Sequence, residues 1–253
     1  MADYEYKFIK LHKSMNEAPN ISTPPQPPLV IADVSRCPSI QFINGDSLEI
    51  LKSFSDKHFD LGLIDPPYGI DFNYNEYQDT EDNLIEIINK AVPELIRVCK
   101  RVLIFGNHAK VWLYPKPDWI FSYSWNTTGS YGKLGICQWQ PILFYGEDLK
   151  GFGSINNVIK SDSIHISGGD GVGFRRLEKI NHPCPKPKNI IKYLIARFSN
   201  EGDNVLDCFM GSGTAGLMSW DMKRNFVGIE IDKLYFDEAK KRFENFTQQQ
   251  RLF

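Results

Sequence analysis

With 253 residues, 42% of them hydrophobic, the chain is long enough to bury one substantial core and suits one large domain. A formal net charge of −2 excludes a uniformly basic nucleic-acid coat, so any contact with nucleic acid must come from a local patch. Five cysteines (Cys37, Cys99, Cys137, Cys184 and Cys208) form no C-x-x-C pair, which argues against a structural zinc site or a disulfide framework and fits a reducing cytosol.

The N-terminal stretch MADYEYKFIKLHKSM is charged and lacks the apolar segment of a secretory signal. No apolar run approaches the length of a membrane span, so the expectation is a cytoplasmic protein. Residues 16–28, NEAPNISTPPQPP, read as an extended linker or surface strap. Residues 1–38 are therefore expected to be an extension ahead of a folded body at 39–253. IQFING (40–45) reads as a strand ending in a turn, and SLEILKSF (47–54) as a helical turn or two. FDLGLID (59–65) is an apolar run bounded by turn residues, the pattern of a buried strand. In 80–100, Leu84, Ile87, Ile88, Ala91 and Leu95 recur at helical spacing. Thr80 marks that helix's start, and Pro93 predicts a kink or break within it.

RVLIFG (101–106), WIFSYSW (119–125) and WQPILFYG (139–146) read as three further strands, the last two joined by a glycine-containing connection. Residues 147–181 lose all periodicity and read as a long loop, which inside a compact domain is usually functional or disordered. Periodicity returns in NIIKYLIARFS (189–199), a helix with Ile190, Ile191, Leu194, Ile195 and Phe198 on one face. NVLDCF (204–209) is a strand, GSGTAGLMSWDM (211–222) a glycine turn into a helix, NFVGIEI (225–231) a strand, and YFDEAKKRFENF (235–246) an amphipathic helix. Alternation of this kind predicts a doubly wound α/β fold with a mostly parallel sheet and helices on both faces.

Gly211, Gly213 and Gly216 satisfy G-x-G-x-x-G at a strand-to-helix turn, and Glu230 closes the next strand where a ribose-binding acid sits. A nicotinamide or flavin enzyme is one reading of that pattern, and a tight turn without a ligand is the bland one. Asp207 decides against a dinucleotide. It ends the strand just ahead of the glycines, where a carboxylate would repel a pyrophosphate at the helix N-terminus. S-adenosylmethionine carries no phosphate, and its α-ammonium and sulfonium are cations that Asp207 suits.

The tetrapeptide Asp65-Pro66-Pro67-Tyr68 follows the buried strand at 59–65. An exocyclic amino group on a nucleobase is a poor nucleophile because its lone pair is delocalised into the ring. Two acceptors for its N–H bonds localise that pair toward a methyl donor. Asp65 offers one acceptor and the Pro66 carbonyl another, and proline rings preset the backbone direction. Asp65, preceding a proline, is itself held extended. Tyr68 offers a face to an extruded base, whose flipping costs a few kcal/mol while stacking returns about 1–3 kcal/mol. The bland alternative is a strand-ending turn.

With both motifs in hand, the chain resembles the DNA amino-methyltransferases that act on adenine N6 or cytosine N4. Those enzymes carry an Asp/Asn/Ser-Pro-Pro-aromatic tetrapeptide and an Asp-x-Phe-x-Gly-x-Gly-Thr turn, and the likeness spans roughly Ser39 to Phe246. The resemblance implies a Rossmann-like S-adenosylmethionine-dependent fold, with a seven-stranded, mostly parallel sheet. The tetrapeptide comes before the glycine turn, the order of the circularly permuted beta group.

The resemblance also implies site roles. Asp65, Pro66, Pro67 and Tyr68 form the catalytic tetrapeptide. Asp207, Phe209, Gly211, Ser212, Gly213 and Thr214 line the methionine end of the cofactor, and Asp65 is also counted among the cofactor-binding residues. Glu230 holds its ribose, Asp46 accepts from its adenine amino group, and Lys186 in HPCPKP lies near its carboxylate. Cys208 stands where a proline is frequent, and Pro185 where a glutamine is; neither position needs its side chain for the chemistry. The implied partner is double-stranded DNA, with no metal required, and the implied setting is restriction-modification.

Aspartate at the first tetrapeptide position leans toward adenine N6. Cytosine N4, an amine in RNA or a protein glutamine remain as alternatives within the same chemistry. A nicotinamide oxidoreductase and a silent DNA-binding module are the alternatives outside it. Target recognition is expected within 107–181, where Arg175, Arg176 and Lys179 are candidate DNA contacts. Acidic neighbours offset those charges, and a solvated loop is the bland reading. Trp125 and Tyr131 could approach the flipped base, with core packing as the alternative.

Overall fold

The computed structural model describes residues 38–74, 77–125, 130–132, 135–137, 139–147, 163–166 and 182–250. Residues 1–38 (save the last), the candidate contacts Arg175, Arg176 and Lys179, and the side chains of Trp125 and Tyr131 lie outside the described part. Among the described residues, no helix is long and apolar enough to cross a membrane.

Eight strands form the main sheet. In chain order they are β1 (Ile40–Asn44), β2 (Phe59–Ile64), β5 (Cys99–Phe105), β6 (Trp119–Trp125), β9 (Trp139–Gly146), β10 (Ser163–Ile166), β11 (Asn204–Asp207) and β12 (Asn225–Glu230). Two short hairpins, β3 (Phe72–Asn73) with β4 (Gln78–Asp79) and β7 (Ser130–Gly132) with β8 (Gly135–Cys137), stand apart from it. The spatial order is β1-β12-β11-β2-β5-β9-β6-β10. Only β9 runs antiparallel to its sheet neighbours, β5 and β6.

The seven expected strands are all present, and β10 adds an eighth at the edge by pairing parallel with β6. This strand lies inside 147–181, where the sequence reads as a loop throughout. Its signal is the alternation Ser163-Ile164-His165-Ile166, too short to rise above the glycine- and serine-rich residues around it.

Topology explains why the two motifs meet. The chain enters at β1, crosses to the middle of the sheet at β2, and winds outward through β5. It then returns late, and β11 and β12 fill the gap between β1 and β2. From β11 the winding continues toward β1, whereas from β2 it continues toward β5. The C-terminal ends of β11 and β2 therefore flank the switch point, where open α/β sheets bind ligands. The pairing of Leu206 with Gly62 sets the two strand ends side by side.

Among the described residues the α-helices are α1 (Ser47–Ile50), α2 (Glu81–Val98), α3 (Lys188–Phe198), α4 (Thr214–Asp221) and α5 (Lys233–Gln250). On one face of the sheet, Leu103 and Phe105 of β5 pack with Ile190, Leu194 and Phe198 of α3 and Leu217 of α4. On the other, Val102 and Ile104 pack with Leu84, Ile88 and Leu95 of α2. Both faces of β5 are thus buried, which is why its sequence is apolar without alternation.

Helix α2 runs unbroken through Pro93, against the expectation of a kink or break. Pro93 lies on the exposed side, as does Asn89, whose carbonyl loses its intrahelical partner and faces water. Ala91, Val92 and Leu95 are buried on either side of it, and this packing holds the helix across the proline. At its start, the Thr80 side chain accepts from the Asn83 N–H at 3.2 Å, as an N-cap should.

Candidate active site

Beyond Ile64 the chain leaves β2 as Asp65-Pro66-Pro67-Tyr68, with Pro66 buried and Asp65 half-buried. The loop is tied down from behind. Asp79, only 1% exposed, accepts from the Gly69 N–H at 2.5 Å and from the Ile70 N–H at 3.5 Å. Gly69 sits at φ +67, and a Cβ there would press on Leu84 and on the Glu81 backbone. Burial raises the Asp79 carboxyl above its usual range, and the backbone N–H groups it accepts from oppose that shift.

Sequence inspection gives Asp79 no role, since nothing local marks an acid before a helix N-cap as a clamp on a loop ten residues earlier. Asp79→Ala should strand a buried N–H and lower stability by about 1–3 kcal/mol. Thermal melting should show that loss, and hydrogen exchange at Gly69 should accelerate. Asp79→Asn, which keeps an acceptor, should do markedly less.

Both oxygens of Asp65 are engaged. Tyr68 donates its hydroxyl to Oδ1, and the Lys186 ammonium lies 2.5 Å from Oδ2. Lys186 Nζ is also 2.8 Å from the Tyr68 hydroxyl oxygen, and Gln140 Nε2 donates to that oxygen at 2.7 Å. Tyr68 is consequently half-buried and polar-anchored, where its ring is expected to be an open face. Burial, with the adjacent Asp65 charge, pushes its phenol well above the ordinary value. Lys186 also stands over the rings of Tyr68 and Phe105, at 5.3 and 5.1 Å from their centroids. Gln140 is a second residue the sequence hides, a lone amide in the apolar strand WQPILFYG.

The glycine turn leaves β11, the strand beside β2. Gly211 and Gly213 hold φ +50 and +72, the left-handed region that an L side chain rarely adopts. A Cβ on Gly211 would meet His182 Nε2 at 2.8 Å, so the turn backbone lies flush under that ring. His182 packs edge-on against Tyr235 at 4.8 Å and accepts from the Cys184 N–H through Nδ1. Burial lowers its pKa to about 4, so it is a neutral turn-shaping residue.

Arg242 of α5 pins the turn from outside, donating to the Ser212 carbonyl at 2.7 Å and to Thr214 Oγ1 at 3.0 Å. Glu230 at the end of β12 accepts from the Gly211 N–H at 2.7 Å and from the Asp232 N–H at 2.9 Å, and burial raises its carboxyl. Asp207 is 7% exposed and accepts from the Phe209 N–H at 3.1 Å. Burial raises its pKa to about 8. Asp46 caps α1 through the Leu48 N–H at 2.9 Å.

One cavity of about 1710 Å³ joins these parts. Asp46, Asp65, Pro67, Tyr68, Lys186, Asp207, Phe209, Gly211, Ser212, Thr214 and Glu230 all line it, and Pro66 and Gly213 lie between lining neighbours. Its size exceeds the roughly 300–1,000 Å³ of a single small-molecule site, which leaves room for two ligands. Among the described residues, six carboxyl side chains (Asp46, Asp65, Glu86, Asp207, Glu230, Asp232) line it against two lysines, Lys110 and Lys186. That balance suits a cationic ligand and opposes a pyrophosphate. Among the described residues there is no group of three or more side chains arranged to hold a metal ion.

The DNA methylase family model N6_N4_Mtase matches residues 108–241, just over half of the chain. The Type II methyltransferase M.HpaI of Haemophilus parainfluenzae is 25% identical over 244 residues, covering 81% of this chain and 74% of its own. The DNA adenine methyltransferase YhdJ of Escherichia coli (strain K12) is 26% identical over 245 residues, covering 80% and 82%. Among solved structures, the M1.HpyAVI–SAM complex superposes with a TM-score of 0.58 at 24% identity, covering 80% of this chain and 98% of that one.

Proposed function

The chain belongs to the N6_N4_Mtase family of DNA methylases, and on that premise we propose that it methylates the exocyclic N6 amino group of adenine in double-stranded DNA from S-adenosylmethionine. The observation that carries this reading is the convergence at the switch point. The acceptor tetrapeptide after β2 and the acid-flanked glycine turn after β11 open into one carboxylate-rich cavity.

The residues present fit the cofactor. Gly211 and Gly213 admit close backbone approach, Asp207 offers a buried carboxyl to a cation, and Glu230 offers a carboxyl to ribose hydroxyls while holding the turn. Asp46 keeps Oδ2 for an adenine amino group while Oδ1 caps α1. Bound there, S-adenosylmethionine supplies an electrophilic methyl group on a positively charged sulfur. The protein's task is then to present an amine. Asp65 and the Pro66 carbonyl accept its two N–H bonds, which localises the nitrogen lone pair. This is electrostatic preorganisation joined to proximity.

The DNA side of the cavity carries flat apolar surface at its mouth. Trp112 is 72% exposed and Trp139 44% exposed, and both line the cavity together with Ile70. Rings in that position suit bases lifted out of a duplex, since stacking on an aromatic side chain contributes about 1–3 kcal/mol per base. Aspartate at position 65 and the adenine-specific relative support adenine over cytosine.

Expression in a host free of DNA methylation, followed by sequencing that reports modified bases, tests the reading. N6-methyladenine at one defined sequence is the expected result. N4-methylcytosine would overturn the choice of base. Unmodified DNA, together with calorimetric binding of NAD but not of S-adenosylmethionine, would overturn the enzyme class.

A further inference from the structure

The Asp65 acceptor is already occupied from within the protein. Lys186 Nζ lies 2.5 Å from Oδ2, and Tyr68 caps Oδ1 while accepting from both Lys186 and Gln140. The ion pair is largely sheltered, with Lys186 15% and Asp65 25% exposed. In this arrangement the ammonium offsets the negative charge that would draw on an amine N–H. The Tyr68 hydroxyl stands where one of those N–H groups would bond.

Something must remove the lysine before a base is engaged. The cavity itself points to the agent. S-adenosylmethionine brings an α-carboxylate into a space that, among the described residues, is lined by six carboxyl groups and two lysines. Of these lysines, Lys110 is ion-paired with Glu81. Lys186 lines the same cavity as Asp65, Gly211 and His182, and His182 covers Gly211. Lys186 thus shares one space with the acceptor and the glycine turn.

We propose that Lys186 is a positioning residue that couples the two subsites: it caps Asp65 when no cofactor is bound, and the carboxylate of the cofactor draws it off and frees Asp65 for the base. The inference rests on the methyl-transfer reading given above. Coupling of this kind is reciprocal, so cofactor and DNA tighten each other by one common factor.

The test is equilibrium binding of a duplex carrying the mapped target site, with S-adenosylhomocysteine as an unreactive probe that keeps the amino-acid portion. Wild-type protein should bind the duplex about tenfold or more tightly when the probe is present, and the probe should gain the same factor from DNA. 5′-Methylthioadenosine, which lacks the carboxylate, should give no gain. Lys186→Met should bind DNA without the probe as tightly as wild type does with it, and the coupling factor should fall to one. Lys186→Arg should restore most of the coupling, which separates the role of the cation from a folding defect. Equal coupling from 5′-methylthioadenosine, undiminished coupling in Lys186→Met, or no coupling in wild type would overturn the proposal. Absence of methyl transfer by wild-type protein would instead sink the underlying reading.

Discussion

Asp65→Ala should bind S-adenosylmethionine nearly as well as the parent protein and transfer methyl groups about a thousandfold more slowly. The reason lies in where the side chain acts. Under the proposed assignment its oxygens accept from the amine, whereas the glycine turn and Glu230 belong to the ends of β11 and β12. Removing a preorganised acceptor aimed at developing charge costs about 10²–10³ in rate. The loss here belongs at the upper end, because Asp65 is the charged one of the two acceptors proposed for the amine. Asp65→Asn should fall between the two, since its amide oxygen still accepts one hydrogen bond and its NH₂ opposes the second. Single-turnover methyl transfer beside calorimetric cofactor binding separates the outcomes. Weakened cofactor binding that accounts for the whole rate loss would contradict the assignment.

Cofactor affinity should rise with pH and level off above about pH 8. In the ligand-free protein, burial holds the Asp207 pKa at about 8, with the Asp65 and Glu230 charges adding to the rise and the Phe209 N–H opposing it. At pH 6 the carboxyl is therefore mostly protonated. A bound cation favours the carboxylate, so binding expels a proton. Affinity then gains up to tenfold per pH unit below the ligand-free pKa, or about fiftyfold between pH 6 and 8. Titrations in buffers of different ionisation enthalpy should register that proton. Asp207→Asn should bind weakly and nearly independently of pH.

The same shift has a consequence for stability, with the opposite dependence on pH. The folded pKa of about 8 lies above the ordinary 3.8, so the folded state binds more protons than the unfolded state between those values. The stability Asp207 contributes is full below about pH 4 and is lost as pH rises through about 8. Saturating cofactor should offset that loss.

Much of the fold was legible because its elements carry strong periodic signals. Helix α2 shows Leu84, Ile88 and Leu95 at helical spacing, and β2 and β5 are apolar runs between turn residues. Errors arose where a local rule met a tertiary fact. Pro93 reads as a helix breaker, but burial of the residues around it outweighs one missing hydrogen bond. β10 is four residues long, and its pairing with β6 depends on a neighbour that no local pattern reveals.

The tetrapeptide and glycine-turn residues that line the cavity were legible in the sequence alone, because they sit in two short motifs. A carboxylate before two prolines and an aromatic specifies an acceptor on a rigid loop. An acid before a Gly-x-Gly turn disfavours a pyrophosphate. What only the tertiary structure decided is how those pieces touch. The late return of β11 beside β2 brings the two motifs to one switch point. Asp79 clamps the tetrapeptide loop from a neighbouring hairpin, and Gln140 reaches Tyr68 from β9. Lys186 spans 121 positions of sequence to reach Asp65. Contacts of that separation form through strand order and packing, neither of which leaves a mark on the residues that flank them in the chain.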